Sequence, residues 1–265
     1  MKELSKMNKV KTKFDFGEAI GMLVGKWWCS AVVQGHHQYA PTYDFPVRIK
    51  FIENYWIQSK GEFNVSEYIR CAKELEEEGV KAIVGSCGLI GGMQEELANA
   101  VDIPVFSSNL LVVPLALSVV GKGKKVGILT DSSEILLKDD YKVLRKCGIQ
   151  PESPRITIKG MEESEYMDIW ITQFGGGEIE KGNWWDLDEG GVAKLELGEF
   201  DIQKVEEAIV SVAKKMVAEN PDLGAIILEC TEMPLYAKAI RKATGLLVFD
   251  SVSLVKYIYS ATVSV

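Results

Sequence analysis

The chain is patterned as short apolar runs that alternate with longer amphipathic stretches. Residues 82–84 and 225–228 form two such runs, and each is followed closely by a cysteine. A stretch with helical spacing comes next in both places, and then a second short apolar run at residues 103–106 and 246–249. The runs are too short for helices, so each copy predicts the order strand, loop, helix, strand.

An amphipathic helix is also predicted ahead of each copy, over residues 65–78 and 202–219, because apolar side chains recur there at helical spacing. Residues 20–23 and 126–129 add a matching first strand to each half. Strands that alternate with helices imply βαβ crossovers and parallel pairing. The pattern therefore predicts an α/β protein of two Rossmann-like or flavodoxin-like lobes, with a parallel sheet in each.

The two halves are related by an internal repeat. The segment that begins at Ala82 aligns without a gap with the segment that begins at Ala225, an offset of 143 residues. Eight of 30 aligned positions are identical, where background composition gives about two. Cys87 and Cys230 are one of the identical pairs. We therefore expect pseudosymmetric lobes with a cleft between them.

The expected lobe boundary falls in a short stretch of glycine and lysine. We assign residues 18–121 and 245–265 to the first lobe and residues 122–244 to the second. The periodic pattern weakens within the second lobe, where residues 173–196 combine glycines, tryptophans and acidic side chains. Loops of this length are usually functional or mobile, so this insertion is either a lid or a solvated loop.

Composition and charge exclude several classes of protein. The 265 residues include 30 lysines and arginines against 38 aspartates and glutamates, a net charge of −8, without a basic cluster. Such a chain repels a phosphate backbone, so we expect no nucleic-acid partner. The longest apolar run, residues 110–120, is far below the roughly 20 residues that span a bilayer, and no signal-peptide pattern is present. We expect a soluble, cytoplasmic protein without a membrane partner.

Cysteine and histidine usage narrows the chemistry. The five cysteines are odd in number and widely spaced, and the only histidines are His36 and His37, so neither a disulfide scaffold nor a zinc site is expected. Cys87 and Cys230 each lie where a predicted strand ends and a helix begins, the sheet edge at which ligands bind. A helix N-terminus also favours the thiolate. A thiolate and a thiol on opposite sides of a carbon acid could remove and return a proton.

The alternative is that all five cysteines are buried and behave as small hydrophobes. We adopt that interpretation for Cys29, Cys71 and Cys147. The shared place of Cys87 and Cys230 within a repeat favours a chemical role for those two.

The segments around these two cysteines resemble a known family. The sequences GSCGLIGGMQEEL and LECTEMPLYAKAIRKATGLLVFD are similar to the two cysteine signatures of the aspartate/glutamate/hydantoin racemase superfamily. The resemblance implies a two-lobed fold with the active site in the cleft, a homodimer, and no metal or other cofactor. Members racemise or epimerise amino acids and hydantoins. Relatives decarboxylate arylmalonates, isomerise maleate or eliminate from dimethylsulfoniopropionate.

The resemblance also implies roles for individual residues. Cys87 and Cys230 would be the acid and base. Removal of an α-proton places charge on the substrate carboxylate, so the site needs preorganised donors. The positions that would supply them are Ser86, Gly88, Thr130, Ser132 and Thr231. Lys26, just beyond the first strand, is either a further anion contact or a solvated surface lysine.

Two departures from the family pattern bear on the substrate. Gly88 replaces the Asn or Thr that follows the first cysteine in many amino-acid racemases of the superfamily. A stretch that contains Trp27 and Trp28 replaces the acidic loop of glutamate racemases, which removes the expected partner for an α-ammonium group. The two tryptophans could face an apolar or cationic group, or pack in the core. These departures argue against glutamate as the substrate.

Two other features receive weaker interpretations. His36 and His37 lie in a loop-like stretch, where a place on the surface or behind the site is favoured over catalysis. The glycines that follow Cys87 have neither the dinucleotide nor the P-loop spacing, so nucleotide binding is not expected.

The leading hypothesis is a cofactor-independent racemase or epimerase of a small carboxylate, with Cys87 and Cys230 as opposed acid and base. The nearest rival is a lyase, decarboxylase or cis–trans isomerase that uses the same cleft. A third hypothesis is a small-molecule binding protein without catalysis, although pure binding needs neither cysteine.

Overall fold

The computed structural model describes residues 17–26, 33–57, 62–164, 167–170 and 200–263. The predictions for Trp27, Trp28, Cys29 and the insertion at residues 173–196 lie outside these ranges. Among the helices that fall within them, none combines the length and the apolar content of a membrane span.

The strands are β1 (Ile20–Gly25), β2 (Val47–Ile52), β3 (Trp56–Ile57), β4 (Glu62–Phe63), β5 (Ala82–Gly85), β6 (Val105–Phe106), β7 (Lys125–Thr130), β8 (Ile156–Gly160), β9 (Leu223–Leu228) and β10 (Leu247–Phe249). The α-helices are α1 (Val65–Glu77), α2 (Gln94–Ala98), α3 (Val113–Val119), α4 (Ser133–Leu136), α5 (Lys138–Lys146), α6 (Met167–Trp170), α7 (Ile202–Glu219), α8 (Ala237–Thr244) and α9 (Ser251–Thr262). Short 3₁₀ helices cover Ala40–Thr42, Gly88–Met93, Asn109–Val112, Met161–Glu163 and Met233–Tyr236.

The strands form two parallel four-stranded sheets with the same topology. The first has the order β2-β1-β5-β6, and the second, read from its matching edge, has the order β8-β7-β9-β10. β3 and β4 form a small antiparallel ribbon beside them. The α/β prediction of two similar lobes with parallel sheets is therefore confirmed.

Equivalent helices cover the two sheets. α1 places Tyr68, Ala72 and Leu75 in a cluster with β1 and β5 residues, and burial of a side chain the size of Leu75 is worth roughly 1.5–3 kcal/mol. α7 does the same in the second lobe, and its first turn is capped by the Asp201 carboxylate, which accepts the Gln203 and Lys204 N–H groups. The α7 residues buried on the second sheet are Val205, Ala208, Ile209, Val212, Ala213 and Met216.

The last helix of each half packs on the other half. After β6, α3 places Val113 and Ala116 among residues of β7 and β9. After β10, α9 places Val252, Val255 and Ile258 among residues of β1 and β5. The two lobes thus exchange their final helices.

This exchange corrects the sequence-based lobe bounds at two points. The sequence pattern assigns residues 245–249 to the first lobe, yet β10 pairs with β9 in the second sheet, so the chain returns to the first lobe only after Phe249. The crossing into the second lobe also comes before residue 121, because α3 already packs on the second sheet. The apolar pattern could not reveal either point, since it does not say which sheet an apolar helix face covers.

Candidate active site

A cavity of about 360 Å³, including its open mouth, lies between the carboxyl ends of β5, β7 and β9. Both lobes contribute to it, as expected for ligand sites at the carboxyl edge of parallel strands. The residues that line it are Cys87, Gly88, Leu89, Thr130, Asp131, Ser132, Ile135, Glu229, Cys230 and Thr231. The two cysteines of the repeat are therefore brought to one cavity.

Cys87 follows β5 and precedes the 3₁₀ helix Gly88–Met93. Its backbone is extended, and the N–H groups of Leu89 and Ile90 point at its sulfur and favour the thiolate. Burial disfavours the thiolate more strongly than these two N–H groups favour it, and Glu229 adds negative charge nearby. The pKa of the Cys87 thiol is therefore raised to about 12.

Cys230 follows β9 from the other lobe and is 7% exposed. Burial raises the pKa of its thiol, and the carboxyl groups of Asp131, Glu229 and Glu232 add to the effect, whereas the Glu232 N–H opposes it. The expectation that helix N-termini lower the thiol pKa is therefore wrong for Cys230, as it is for Cys87. Backbone donors are present at both sulfurs, but desolvation and neighbouring carboxylates dominate.

Glu229 is a site residue that the sequence interpretation missed. Its side chain is buried, and its Oε2 accepts a 2.9 Å hydrogen bond from Thr130 Oγ1. Burial raises its pKa to about 7. A Cβ placed on Gly88 would stand only 1.9 Å from Glu229 Oε1, so the glycine after the first cysteine is required by this carboxyl group. A glutamate at the end of an apolar strand, beside a repeated cysteine, was the available signal.

Asp131 is the second carboxyl group on the cavity wall. Trp170 Nε1 donates a hydrogen bond to its Oδ1. Burial raises the pKa of Asp131 well above its usual value, and Glu229, Glu162 and Glu232 act in the same direction. None of the described lining residues is cationic, and no set of three or more His, Cys, Asp or Glu side chains in the described ranges could hold a metal ion.

Most of the hydroxyl groups predicted to hold a carboxylate already have acceptors. Thr130 donates to Glu229, and Thr231 Oγ1 donates to the Ser86 carbonyl oxygen at 2.7 Å. Ser132 Oγ accepts the Ile135 N–H at the start of α4, which leaves its own hydrogen available.

Two predicted contacts do not reach the cavity wall. Ser86 is buried behind it and is not among the described lining residues. Lys26 is 59% exposed and forms an ion pair with Glu53 at 2.6 Å, so of the two interpretations of Lys26 the solvated surface lysine fits the structure.

The loop that contains His36 and His37 is buried behind the two cysteines, so a surface position is wrong and a supporting position fits. His36 Nε2 is hydrogen-bonded to Glu232, and its Nδ1 accepts the Gln38 N–H at 3.2 Å. His37 Nε2 donates to the Gly85 carbonyl oxygen at 3.1 Å, and burial lowers its pKa to about 3. The loop therefore contacts the chain near Cys87 and near Cys230.

Comparisons with known proteins agree with this fold. A family model described as Asp/Glu/Hydantoin racemase matches residues 186–255, which include β9, Cys230 and β10. An aspartate racemase homologue from Pyrococcus horikoshii OT3 has the same fold over 93% of this chain and 100% of its own, with a TM-score of 0.53 and 19% identity. Residues 186–255 thus match the racemase family model, and the chain has the fold of the racemase homologue.

A second solved structure shares the fold at lower identity. Unliganded arylmalonate decarboxylase covers 92% of this chain and 92% of its own, with a TM-score of 0.53 and 12% identity.

Curated relatives carry a different activity in their names. A dimethylsulfoniopropionate lyase from Durusdinium sp. clade D is 28% identical over 67% of this chain and 51% of its own length. Dimethylsulfoniopropionate lyase 7 of Emiliania huxleyi is 28% identical over 70% of this chain and 49% of its own. The chain thus spans about half the length of these relatives.

Proposed function

We propose that the protein is a cofactor-independent enzyme that removes the proton α to the carboxylate of a small substrate. The observation that carries the proposal is that Cys87 and Cys230, one from each lobe, line one cavity. A thiol at each side of a substrate carbon provides a base and an acid without a further group.

Among the outcomes open to such a site, we propose β-elimination from a carboxylate with an onium group at its β-carbon, such as dimethylsulfoniopropionate. A thiolate takes the α-proton to form a thiol, the electron pair of the broken C–H bond forms the carbon–carbon double bond, and the carbon–sulfur bond breaks to release neutral dimethyl sulfide and acrylate. The names of the curated relatives support this outcome.

The charge of the cavity also supports an onium substrate. Asp131 and Glu229 line the wall without a cationic partner among the described lining residues. A second anionic group on the substrate would meet the Asp131 carboxyl group, whereas a cationic group would interact favourably with it. A cation near the reacting carbon also lowers the pKa of the thiols, which burial has raised.

Racemisation or epimerisation is the second candidate, and the pseudosymmetry of the two cysteines favours it. Elimination needs one base, whereas inversion of a carbon centre needs an acid and a base on opposite faces. The two thiols, 143 residues apart in the repeat, follow equivalent strands, β5 and β9, of opposite lobes.

One experiment separates these outcomes. The protein is incubated in D₂O with dimethylsulfoniopropionate and a panel of small chiral carboxylates, and each is followed by NMR and by headspace analysis of dimethyl sulfide. Acrylate and dimethyl sulfide support elimination, and α-deuteration with loss of optical activity supports racemisation. Binding with neither product nor exchange would leave only a binding protein.

The cysteine variants test the mechanism. Cys87→Ser and Cys230→Ser should each abolish racemisation, whereas elimination should depend most on the cysteine that acts as base. Cys71→Ala, in the buried face of α1, is the matched control and should retain turnover. Wild-type rates in both cavity variants would refute a thiol mechanism.

A further inference from the structure

The hydrogen-bond donors on the cavity wall are fewer than the hydroxyl groups suggest. Thr130 and Thr231 donate to Glu229 and to the Ser86 carbonyl oxygen, respectively. Of the hydroxyl side chains on the described wall, only Ser132 keeps its hydrogen for a ligand. One hydroxyl group cannot serve both oxygens of a carboxylate, least of all when charge builds up on them during proton removal.

Glu229 has the geometry to supply the missing donor. Thr130 fixes one carboxyl oxygen, Oε2, as an acceptor. The other oxygen, Oε1, lies where the Cβ of any residue larger than glycine at position 88 would stand. It is therefore next to Cys87 on the wall that both lobes share.

We propose that Glu229 works in its protonated form and donates a hydrogen bond from Oε1 to the carboxylate of the substrate. The proposal rests on the proposed function, since it presumes a carboxylate substrate. Glu229 keeps its proton throughout and acts as a neutral donor whose hydrogen bond strengthens as the carboxylate gains charge.

The surroundings of Glu229 favour that form. Burial raises its pKa to about 7, and the hydrogen bond from Thr130 only partly opposes this. The titratable groups that interact with it are acids on neighbouring elements: Asp131 after β7, Cys87 after β5, Cys147 at the end of α5, and Cys230 beside it. A substrate carboxylate adds a further negative charge and stabilises the proton on Glu229.

A second benefit follows for the thiols. Ionised Glu229 is one of the causes that raise the pKa of Cys87 and of Cys230. A proton on Glu229 removes that charge while the substrate is bound, so the base forms more readily in the complex.

Proton-linked binding of acrylate, a small monocarboxylate, tests the proposal. Calorimetry from pH 5.5 to 9 in two buffers with different ionisation enthalpies measures both affinity and proton uptake. We expect the wild-type protein to take up a proton above pH 7 and to lose affinity by about tenfold per pH unit there. Glu229→Gln keeps a donor and should bind without that uptake, whereas Glu229→Leu should lose binding. Glu219→Gln, at a glutamate on α7 that pairs with Lys159 outside the cavity, is the matched control and should retain the uptake.

The outcomes separate the two proposals. If the wild-type protein turns over a carboxylate but binds acrylate without proton uptake, or if Glu229→Gln shows the same uptake, the role of Glu229 is refuted and the proposed function stands. If no carboxylate is bound, exchanged or converted, both are refuted. Infrared spectroscopy tests the same point without a comparison of affinities. A band of a protonated carboxyl group in the wild-type complex at pH 8 that is absent in Glu229→Gln would support the role of Glu229, and the lack of such a band in the wild-type complex would refute it.

Discussion

Thr231 Oγ1 donates a 2.7 Å hydrogen bond to the Ser86 carbonyl oxygen, and this bond joins the residue after Cys230 to the residue before Cys87. The two cysteine loops come from different lobes and are 143 residues apart in sequence. Gln38 Nε2 donates to the same carbonyl oxygen at 3.2 Å. One direct bond therefore joins the two cysteine loops, and the Gln38 side chain from the histidine loop adds a second bond to the loop of Cys87.

The first prediction concerns this bond. Thr231→Val preserves shape and removes the donor, so it should cost about 1 kcal/mol of unfolding free energy and lower kcat more than tenfold through displacement of the thiols. Chemical denaturation and turnover measure the two effects. Thr231→Ser should restore both. Thr244→Val, which removes a hydroxyl bond to Ile240 on α8, should change stability without a loss in kcat. Equal kcat values in the two valine variants would contradict this role.

The second prediction concerns the pH dependence of stability. Glu229 has a pKa of about 7 in the folded protein against 4.5 for the ordinary side chain. The folded state thus holds a proton that the unfolded state has released between pH 4.5 and 7, so the stability associated with Glu229 is lost as pH rises through that window. Glu229→Gln should flatten this fall and be more stable than wild type at pH 8 by up to ~3 kcal/mol. Parallel stability curves for the two proteins would contradict the assignment.

The third prediction concerns the buried pair of His36 and Glu232. The exposed fractions of the two side chains are 0% and 1%, and the pair links the histidine loop to the second lobe. His36→Ala leaves the Glu232 carboxylate buried without this donor, so we expect a loss of about 3–5 kcal/mol. His36→Gln keeps an amide donor and should recover part of it. Thermal unfolding measures the difference, and unchanged transitions in the alanine variant would show that the pair does not hold the loop.

The fourth prediction concerns Gly88. Its added Cβ would meet Glu229 Oε1 at 1.9 Å and the Glu229 carbonyl oxygen at 2.6 Å, and the latter cannot move away as a flexible side chain could. Gly88→Ala should therefore destabilise the protein by about 2–4 kcal/mol. Gly123→Ala has no atom within 4 Å of the new carbon and should lie within about 0.5 kcal/mol of wild type. Comparable unfolding midpoints for the two variants would refute the close approach.

The sequence allowed the lobes and the shared cavity to be predicted because both depend on local pattern. Apolar runs such as residues 82–84 and 225–228 specify strands, and the repeat places Cys87 and Cys230 after equivalent strands. Parallel strands then bring the two residues to the same kind of edge.

Other properties of the site depend on tertiary contacts that no local pattern contains. His36 and His37 lie in a polar stretch of sequence, yet the folded chain covers both rings completely or nearly so. The thiol pKa values also depend on partners that are distant in sequence, since Glu229 and Asp131 oppose ionisation of Cys87. For this reason, the position of the two cysteines before helices predicts lowered thiol pKa values, whereas the structure raises them.

The exchanged helices α3 and α9 make each lobe incomplete without the other. Val113 and Ala116 complete the second core, and Val252, Val255 and Ile258 complete the first. A chain that ends after Phe249 lacks α9 and exposes the face of β1 and β5 that this helix covers. A cut near residue 121 separates α3 from the second sheet, on which it packs. Unfolding should accordingly be a single cooperative transition, and any opening of the cavity must move α3 with the second lobe and α9 with the first.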